Sequence, residues 1–471
     1  MSDELLNRLH QAQFRYEGDP NDLAAIRDIC ETLIALEHEE AVLPWATRGL
    51  ALSPHDQLLL LQRHAALNLV GAHAEAVESL LRLPARPWHP AFYALTLGYS
   101  LMMAGDLARA IPQLDEARRL ATQSHAALVA TATQYYGEAW LKAGDGGGFA
   151  HWTWRNQSEG AGGSYRPAHI PQWDGQSDVR GKRVLITHQL GFGDQFLLGA
   201  CMAQWLAAGA AVMLTCDLQI HRLMQASLPD CRVVSAPRPL AANAALPDEL
   251  LADIEDFAPD LHAPLLFAPL LANSAGTPGR PFVPYLRSPE EKRDIAARWS
   301  QQLRAKHPGK KLVGLFWDCE QRHHVELGSQ MRCWAARRSI PLAQIDLLTQ
   351  DPSVSERVHF VNLHHPLLES QAGVPAGNVS VYAPGIYHFD DTAACIEQLD
   401  AVVSVDSGVS NCAAMIGKLT CVPVNTSGDW RWGLTGTSSP WIANATVFRQ
   451  RQEGDWQPVM RDVATWLTQA V

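Results

Sequence analysis

The sequence predicts an α/β protein in which an all-helical domain precedes two doubly wound domains, each built on a parallel sheet. Helical spacing continues through the first 145 residues without a strand-like run. From residue 181 onward, short apolar runs rich in β-branched residues alternate with helical segments. A length of 471 residues suits about three domains. The predicted divisions are a helical domain at 1–145, a linker at 146–180, and doubly wound domains at 181–287 and 288–471.

The helical domain contains an internal repeat. The segment Gly71-Ala-His-Ala-Glu-Ala76 recurs as Gly105-Asp-Leu-Ala-Arg-Ala110, and the offset 105 − 71 = 34 is the tetratricopeptide period. A third unit follows, because Gly137–Gly144 resembles Gly98–Gly105 at an offset of 39, which indicates an insertion. Stacked repeats present concave surfaces that bind peptides or other subunits, so we expect this domain to recognise a partner. A plain helical bundle is the alternative.

Composition excludes several classes of function. The chain carries 38 Lys and Arg against 49 Asp and Glu, a net charge of −11, and it has no long basic run. We therefore expect no nucleic-acid partner. No uncharged run of about 18 apolar residues is present to span a membrane, and the charged first ten residues do not resemble a signal peptide. With nine scattered cysteines, these features predict a cytoplasmic protein with reduced thiols that is not integral to a membrane.

The stretch from Lys182 to Gly209 predicts one wall of an active site. A buried strand at Val184–Thr187 leads into a glycine turn and then into a helix. Open α/β sheets bind their ligands at the carboxyl ends of the strands, which is where this turn falls. Gly191 and Gly193 let the backbone approach a substrate, and Asp194 is the ionised group beside them. Because the full G-x-G-x-x-G spacing is absent, packing alone is the alternative explanation.

The second doubly wound domain supplies a candidate phosphate site. A strand at Ala401–Val405 ends in Asp406, and Ser407-Gly408 then opens a helix with Asn411 one turn in. Helix N-termini present unpaired N–H groups and the positive end of the helix dipole, which suits a diphosphate. The alternative is that Asp406 or Ser407 only caps the helix.

Three further residues suit a donor site on the same domain. Trp317 ends its first strand, and an arginine such as Arg338 could neutralise leaving-group phosphate, although a solvated arginine is equally compatible. Trp430 either stacks on a base or sugar or packs a domain interface. We predict no metal site, because the spacing of the candidate ligands fits no standard zinc pattern. These candidates are Cys319, His323, His324, Glu326 and Cys333.

Short motifs follow one another along residues 165–471. They are Pro171–Gly175, Gly191–Asp194, Gly209–Val212, Pro264–Leu266, Gly314–Trp317, Arg338–Leu342, Asp391–Ala394, Val405–Ser407, Gly417–Lys418, Asp429–Trp432 and Ser439–Trp441. Through their shared order, the chain resembles bacterial proteins that fuse tetratricopeptide repeats to a glycosyltransferase module related to the lipopolysaccharide heptosyltransferases. The resemblance implies a GT-B fold, in which two Rossmann-like domains face a cleft and the second binds the donor nucleotide.

The chain departs from the family pattern at three places. His188-Gln189 stands where the family has Glu-Gln before the glycine turn. Asn411 stands where the family has a histidine after the late strand, and Pro264-Leu-Leu-Phe-Ala-Pro269 replaces Pro-Leu-Leu-Ser-Leu-Pro. The change at Asn411 bears most directly on donor choice and on activity.

The resemblance implies an inverting glycosyltransferase that moves a sugar from a nucleotide donor to a protein acceptor held by the repeats, with flagellin or another surface protein as the candidate acceptor. Asp194 is the implied base, and neither a metal nor another cofactor is implied beyond the nucleotide sugar. A homo-oligomer is possible. The implied acceptor or sugar contacts are Gly191, Gly193, Gln195 and His262. The implied donor contacts are Trp317, Arg338, Asp406, Ser407, Gly408, Asn411 and Trp430.

Two other functions stay open at this stage. The acceptor could be lipopolysaccharide or another glycan, for which a basic or aromatic patch beside the cleft would argue. The chain could also be a non-catalytic repeat scaffold with a decayed transferase module, since a missing histidine is what decay of a site would leave.

Overall fold

A computed structural model describes residues 2–83, 89–157, 167, 169–237, 246–273, 282–319, 328–366 and 372–471. Over these residues the chain forms an array of helices followed by two parallel sheets, each with helices on its faces. The predicted fold class is confirmed. Three candidate metal ligands, His323, His324 and Glu326, lie outside the described residues.

Paired helices form the N-terminal array. Gly71 and Gly105 both adopt left-handed backbone with φ of 87° and 83°, and each ends the first helix of a pair. The 34-residue repeat therefore places glycine at equivalent turns between paired helices, as predicted. Glycine suits these turns because it adopts a positive φ without a steric penalty. The helices of the array are α1 (Ser2–Gly18), α2 (Leu23–Ala35), α3 (Val42–Leu52), α4 (Gln57–Val70), α5 (His73–Leu81), α6 (Pro90–Met103), α7 (Leu107–Ser124), α8 (Ala126–Lys142) and α9 (Gly148–Trp152).

The segment predicted as a linker begins with helix rather than loop. Helix α9 and a 3₁₀ turn at Thr153–Gln157 follow α8 after a glycine turn at Gly144. Phe149 and Trp152 of α9 are buried in an apolar cluster that includes residues of both sheets. The array is thus packed directly against the doubly wound domains through α8 and α9.

The first sheet has four parallel strands in the order β3-β2-β1-β4. Short apolar runs in the sequence predict the first three of these strands, and the fourth falls in a proline-rich stretch, Pro237 to Tyr285, whose sequence predicts irregular structure. Such a long irregular stretch is expected to be functional or to hide short helices, and residues 248–273 do contain two helices. The strand between them, whose His262 aligns with Leu185, was missed. The strands are β1 (Arg183–Thr187), β2 (Ala211–Cys216), β3 (Arg232–Ser235) and β4 (Leu261–Pro264).

The second sheet has six parallel strands in the order β10-β9-β8-β5-β6-β7. Strands β5, β6 and β7 follow one another toward one edge of the sheet, and β8, β9 and β10 follow one another toward the other edge. The topological switch point therefore lies between β5 and β8. Short apolar runs in the sequence predict the first five of these strands in chain order, and β10 was missed. The strands are β5 (Lys311–Phe316), β6 (Val358–Asn362), β7 (Val379–Val381), β8 (Ala401–Ser404), β9 (Leu419–Val424) and β10 (Ala445–Arg449).

Helices cover both sheets, and two details differ from the prediction. The spacing of apolar residues predicts one helix at 195–208, where the structure has two. The sequence Ser288-Pro-Glu-Glu291 predicts that Ser288 caps the following helix, but it does not. Its hydroxyl instead donates to Glu397 at 2.6 Å, and Pro289 is the capping residue. The helices are α10 (Phe192–Gly199), α11 (Met202–Ala207), α12 (Leu218–Ser227), α13 (Asp248–Phe257), α14 (Ala268–Asn273), α15 (Glu290–Lys306), α16 (Ser329–Arg338), α17 (Leu342–Gln350), α18 (Pro352–Ser355), α19 (Phe389–Glu397), α20 (Gly408–Ile416) and α21 (Gln457–Ala470).

The close packing of α8 on α9 predicts that Gly137→Ala destabilises the protein. A Cβ at Gly137 would lie 2.6 Å from the carbonyl oxygen of Gly148, a backbone atom that cannot move aside. We expect a loss of about 3 kcal/mol, the upper end for overpacking, measured as a lower urea midpoint. Gly18→Ala is the control, because no atom lies within 4 Å of its added Cβ. Equal midpoints for the two variants would contradict this packing.

Candidate active site

The carboxyl ends of β1 and β8 meet where α10 packs against α20. A Cβ at Gly193 would lie 2.9 Å from Nδ2 of Asn411, so glycine is what allows the two helices to approach. The sequence predicted that Asp194 would lie opposite residues 406–411, and the structure places the two segments together. It differs in one respect, since the helices are in direct contact at this point rather than separated by an open gap.

The glycine turn before Asp194 is shorter than predicted. Gly191 is the N-cap residue of α10, with φ −61° and ψ 166°, and Phe192 already begins the helix. Asp194 therefore lies in the first helical turn, where a carboxylate is favoured by the helix dipole.

Arg431 joins the two sides of this junction. Its guanidinium forms an ion pair with Asp194, donates to Oδ1 of Asn411 at 3.2 Å, and donates through Nε to Oδ1 of Asp429 at 2.8 Å. The side chain is only 7% exposed. Arg431 was missed from the sequence, because the motif Asp429–Trp432 was interpreted through its tryptophans.

The charges around Arg431 depend on one another. Burial by itself would lower the pKa of Arg431, but the carboxylates of Asp429, Asp194 and Asp406 outweigh burial and raise it. Burial also opposes ionisation of Asp429, yet Arg431 holds the pKa of that carboxyl below its usual value. Asp406 behaves in the opposite way, because burial raises its pKa despite the attraction of Arg338 and Arg431. One guanidinium therefore compensates three carboxylates, of which Asp406 is buried and Asp194 and Asp429 are partly exposed.

The start of α20 is capped by its own serines. Oγ of Ser407 accepts from the backbone N–H groups of Val409 and Ser410 at 3.2 and 3.4 Å, and Oγ of Ser410 accepts from Ser407 N at 3.0 Å. Capping, the alternative considered from the sequence, is thus present. Asn411 donates to Ser407 O at 2.8 Å, which orients its amide oxygen toward Arg431.

Arg338 lies on the same edge of the second sheet. Its Nη1 donates to the backbone carbonyl of Asp406 at 3.0 Å, and its guanidinium lies 5.3 Å from the ring centre of Trp334. The arginine is therefore held beside the end of β8 rather than extended into solvent, in contrast to the solvated alternative. Gly408, another predicted donor contact, begins α20, and a Cβ at this position would lie 3.0 Å from the ring of Phe389.

Four other predicted site residues are buried in the framework. Trp317 donates to Ala372 O at 3.3 Å within the core of the second sheet. Gln195 donates to Asp217 at 2.5 Å, and His262 contacts the hydroxyl of Thr187 at 2.9 Å. Trp430 is 1% exposed and packs edge-on against aromatic rings of α9, the interface alternative of the sequence argument. Their ligand-binding roles stay predictions.

A cavity of about 790 Å³ opens at the carboxyl ends of β2 and β3. Phe192 and Asp217 form part of its wall, together with His221, Arg232 and Gln225. The lining is largely polar, and Phe192 connects it to the first turn of α10. The first sheet therefore offers room for a hydroxyl-bearing substrate beside Phe192, two residues before the predicted base.

Among the residues that the structure describes, no three His, Cys, Asp or Glu side chains are grouped in a way that could hold a metal ion. Over the same described segments, no helix has the length and apolar character needed to pass through a membrane.

Comparison with known sequences gives one relative. No protein-family model matches the chain. The chain is 26% identical over 317 residues to Protein FlbA of Caulobacter vibrioides, a match covering 63% of this chain and 48% of the relative. The chain therefore spans about half the length of the curated relative it matches.

Solved structures similar to the chain include glycosyltransferases. A family 9 glycosyl transferase from Veillonella parvula has 13% identity and a TM-score of 0.41, covering 62% of this chain and 91% of that one. The ADP-heptose lipopolysaccharide heptosyltransferase II of E. coli has 12% identity and a TM-score of 0.41, with coverage of 61% and 99%. An O-GlcNAc transferase from Thermobaculum terrenum has 15% identity and a TM-score of 0.30, with coverage of 95% and 89%. One of these proteins is a heptosyltransferase, the class that the order of the motifs resembles.

Replacing the central arginine is expected to destabilise the protein in a pH-dependent way. Arg431→Gln leaves Asp406 and Asp429 without their shared cation, and breaking a buried pair costs about 3–5 kcal/mol. Without the arginine, burial raises the folded-state pKa of these two carboxyls above the unfolded values, so stability is lost as pH rises. The loss should be larger at pH 8 than at pH 5 in urea unfolding followed by tryptophan fluorescence.

Arg15→Gln is the matched control, because Arg15 belongs to an exposed ion pair on the helical array. We expect it to cost less than about 1 kcal/mol at either pH. A pH-independent loss in Arg431→Gln, or equal losses in the two variants, would contradict the electrostatic account.

Proposed function

We propose that this chain transfers a sugar from a nucleotide-activated donor to a hydroxyl group of a protein acceptor. The observation that carries the proposal is the contact of Asp194 with Arg431 and, through it, with Asn411. It joins the carboxyl edges of two parallel sheets, the edges at which such sheets bind ligands. A polar cavity on the first sheet and cationic side chains on the second supply separate places for acceptor and donor.

In the proposed reaction the acceptor hydroxyl enters from the cavity beside Phe192 and attacks the anomeric carbon of the donor sugar. Asp194 accepts the hydroxyl proton as the new bond from carbon to acceptor oxygen forms. The bond from the anomeric carbon to the phosphate oxygen breaks on the opposite face, so the configuration inverts and a nucleoside diphosphate leaves with the bonding electrons. The sugar passes through an oxocarbenium-like state.

The charge of the departing phosphate has two partners on the second sheet. Arg338 is held beside the end of β8, and α20 points its N-terminus toward the same edge. Because Ser407 already accepts from two N–H groups of α20, the helix contributes mainly its dipole, and arginine supplies the direct contact. We propose that neither a metal nor another cofactor takes part.

The ion pair with Arg431 limits how Asp194 can act. Arg431 donates to Oδ1 of Asp194, and the carboxylate is 19% exposed. As a base, Asp194 would therefore receive the proton on its other oxygen. The alternative is that Asp194 orients the acceptor hydroxyl without removing its proton, a role that a neutral amide could fill in part.

The helical array is the proposed site for a protein acceptor, with flagellin or another surface protein as the candidate. Large apolar side chains are exposed on it, among them Phe14 at 76% and Leu81 at 52%. Transfer to lipopolysaccharide or another glycan instead would appear as activity on those acceptors and none on protein. A cytoplasmic location and a homo-oligomeric state stay predictions.

One observation favours a second candidate function, a repeat scaffold that no longer catalyses transfer. Asn411 stands where the related enzymes have histidine, and Arg431 engages both Asn411 and Asp194. A decayed module of this kind would not bind nucleotide sugars, so donor binding separates the two functions.

The role of Asp194 predicts the behaviour of Asp194→Asn. Asparagine keeps an oxygen that can accept from Arg431 but is too weak a base to take the hydroxyl proton. We expect donor affinity to be unchanged by calorimetry and the rate of transfer to fall by roughly 10²-fold or more.

Asp230→Asn, in an exposed loop of the same domain, is the control and should keep the wild-type rate. Full activity in Asp194→Asn would exclude Asp194 as the base, and a rate reduced only a few-fold would favour the orienting role.

A further inference from the structure

A buried lysine of the helical array lies against the loop that carries Arg431. Lys142, near the end of α8, is 2% exposed, and its ammonium donates to the carbonyl oxygens of Ser427 and Gly428 at 3.4 and 2.5 Å. These carbonyls belong to the turn between β9 and the 3₁₀ turn at Trp430–Trp432. The contact therefore joins residues that are 285 and 286 positions apart in the chain.

Burial of this ammonium is costly and needs compensation. Burial lowers the pKa of Lys142, whereas the carboxylates of Glu138 and Asp429 oppose that effect. Glu138 lies one turn earlier on α8, on the same face of the helix as Lys142. Hydrophobic side chains could fill this interface at lower cost, because replacing buried charges with apolar groups is often neutral or stabilising. The buried charge of Lys142 therefore indicates that the ammonium is needed to position the turn that it contacts rather than to stabilise the protein.

The turn that Lys142 holds leads directly to the site. Gly428 precedes Asp429, whose Oδ1 accepts from the backbone N–H of Arg431 at 3.1 Å and from its Nε at 2.8 Å. Arg431 in turn forms the ion pair with Asp194. A shift of the Gly428 carbonyl would therefore move the carboxylate that fixes the guanidinium and, with it, the partner of Asp194.

Neighbouring contacts hold α8 firmly in place. The indole N–H of Trp441 donates to Leu141 O at 3.1 Å, and Ser439 just before it donates to Arg431 O at 2.6 Å. Phe149, on the helix that follows α8, packs against Trp430 and Trp441. Helices α8 and α9 are thus fixed by contacts on both sides of the turn that carries Arg431.

We propose that Lys142 is a positioning residue for sugar transfer, so that the helical array completes the active site in addition to any role in binding an acceptor. The proposal rests on the proposed function for its catalytic consequence. Its structural part, that Lys142 fixes the turn at 426–432, stands independently.

The test compares Lys142→Met with the wild type in the full-length chain. Methionine keeps the length and apolar stem of lysine but cannot donate to the two carbonyls. We expect amide hydrogen exchange to become roughly tenfold faster in residues 426–432 and to stay unchanged elsewhere in the second sheet. With an active donor and acceptor, kcat should fall by roughly 10-fold to 100-fold while KM for the donor stays within about twofold, since misplacement of a catalytic group mainly slows the chemical step.

A second variant separates positioning from general loosening of the array. Arg332→Gln removes a different contact between the array and the second doubly wound domain, a donation to Glu37 O at 3.0 Å. We expect this control to leave exchange at 426–432 and kcat unchanged. The same changes in both variants would overturn the proposal, because they would mean that any weakening of docking has this effect.

Combining Lys142→Met with Arg431→Gln tests the route. If Lys142 acts through Arg431, the loss of kcat caused by Lys142→Met should largely disappear in the Arg431→Gln background. Additive losses would overturn the route. Unchanged exchange at 426–432 in Lys142→Met would overturn the proposal itself. Faster exchange in a chain that transfers no sugar would support the structural part and reject the proposed function instead.

Discussion

The arrangement of this protein depends on one buried guanidinium. Arg431 binds Asp194 on α10, which follows β1 of the first sheet, Asn411 on α20, which follows β8 of the second, and Asp429 from its own turn. A buried arginine needs carboxylates, and buried carboxylates next to one another need a cation. Each member of the group therefore makes the others tolerable, and together they fix the relative positions of the two sheet edges.

The helical array is part of the same construction. Helix α9 supplies Phe149 and Trp152 to the apolar cluster that it shares with both sheets. Lys142 of α8 donates to the turn that precedes Arg431. An array attached in this way cannot reorient freely with respect to the candidate site. The account thus gives the repeats two roles, recognition on their exposed surface and positioning on their buried one.

Much of this architecture could be predicted from the sequence, and the failures have physical causes. The turns at Gly71 and Gly105 were found because a positive φ selects glycine at a fixed spacing. Strand β4 was missed because it is four residues long and ends in proline, so it resembles a loop. Arg431 and Lys142 were missed because their roles come from contacts with residues far away in the chain, which no local pattern records.

The most direct test of the central claim is calorimetric titration of the full-length protein with a panel of nucleotide sugars. The account predicts that at least one binds at one per chain with a Kd below about 1 mM, an affinity of about −4.1 kcal/mol or better. It also predicts that Arg338→Gln, which removes the arginine beside the end of β8, weakens that binding by roughly tenfold. No binding by any nucleotide sugar, or equal binding by Arg338→Gln, would contradict the assignment of a donor site to this edge.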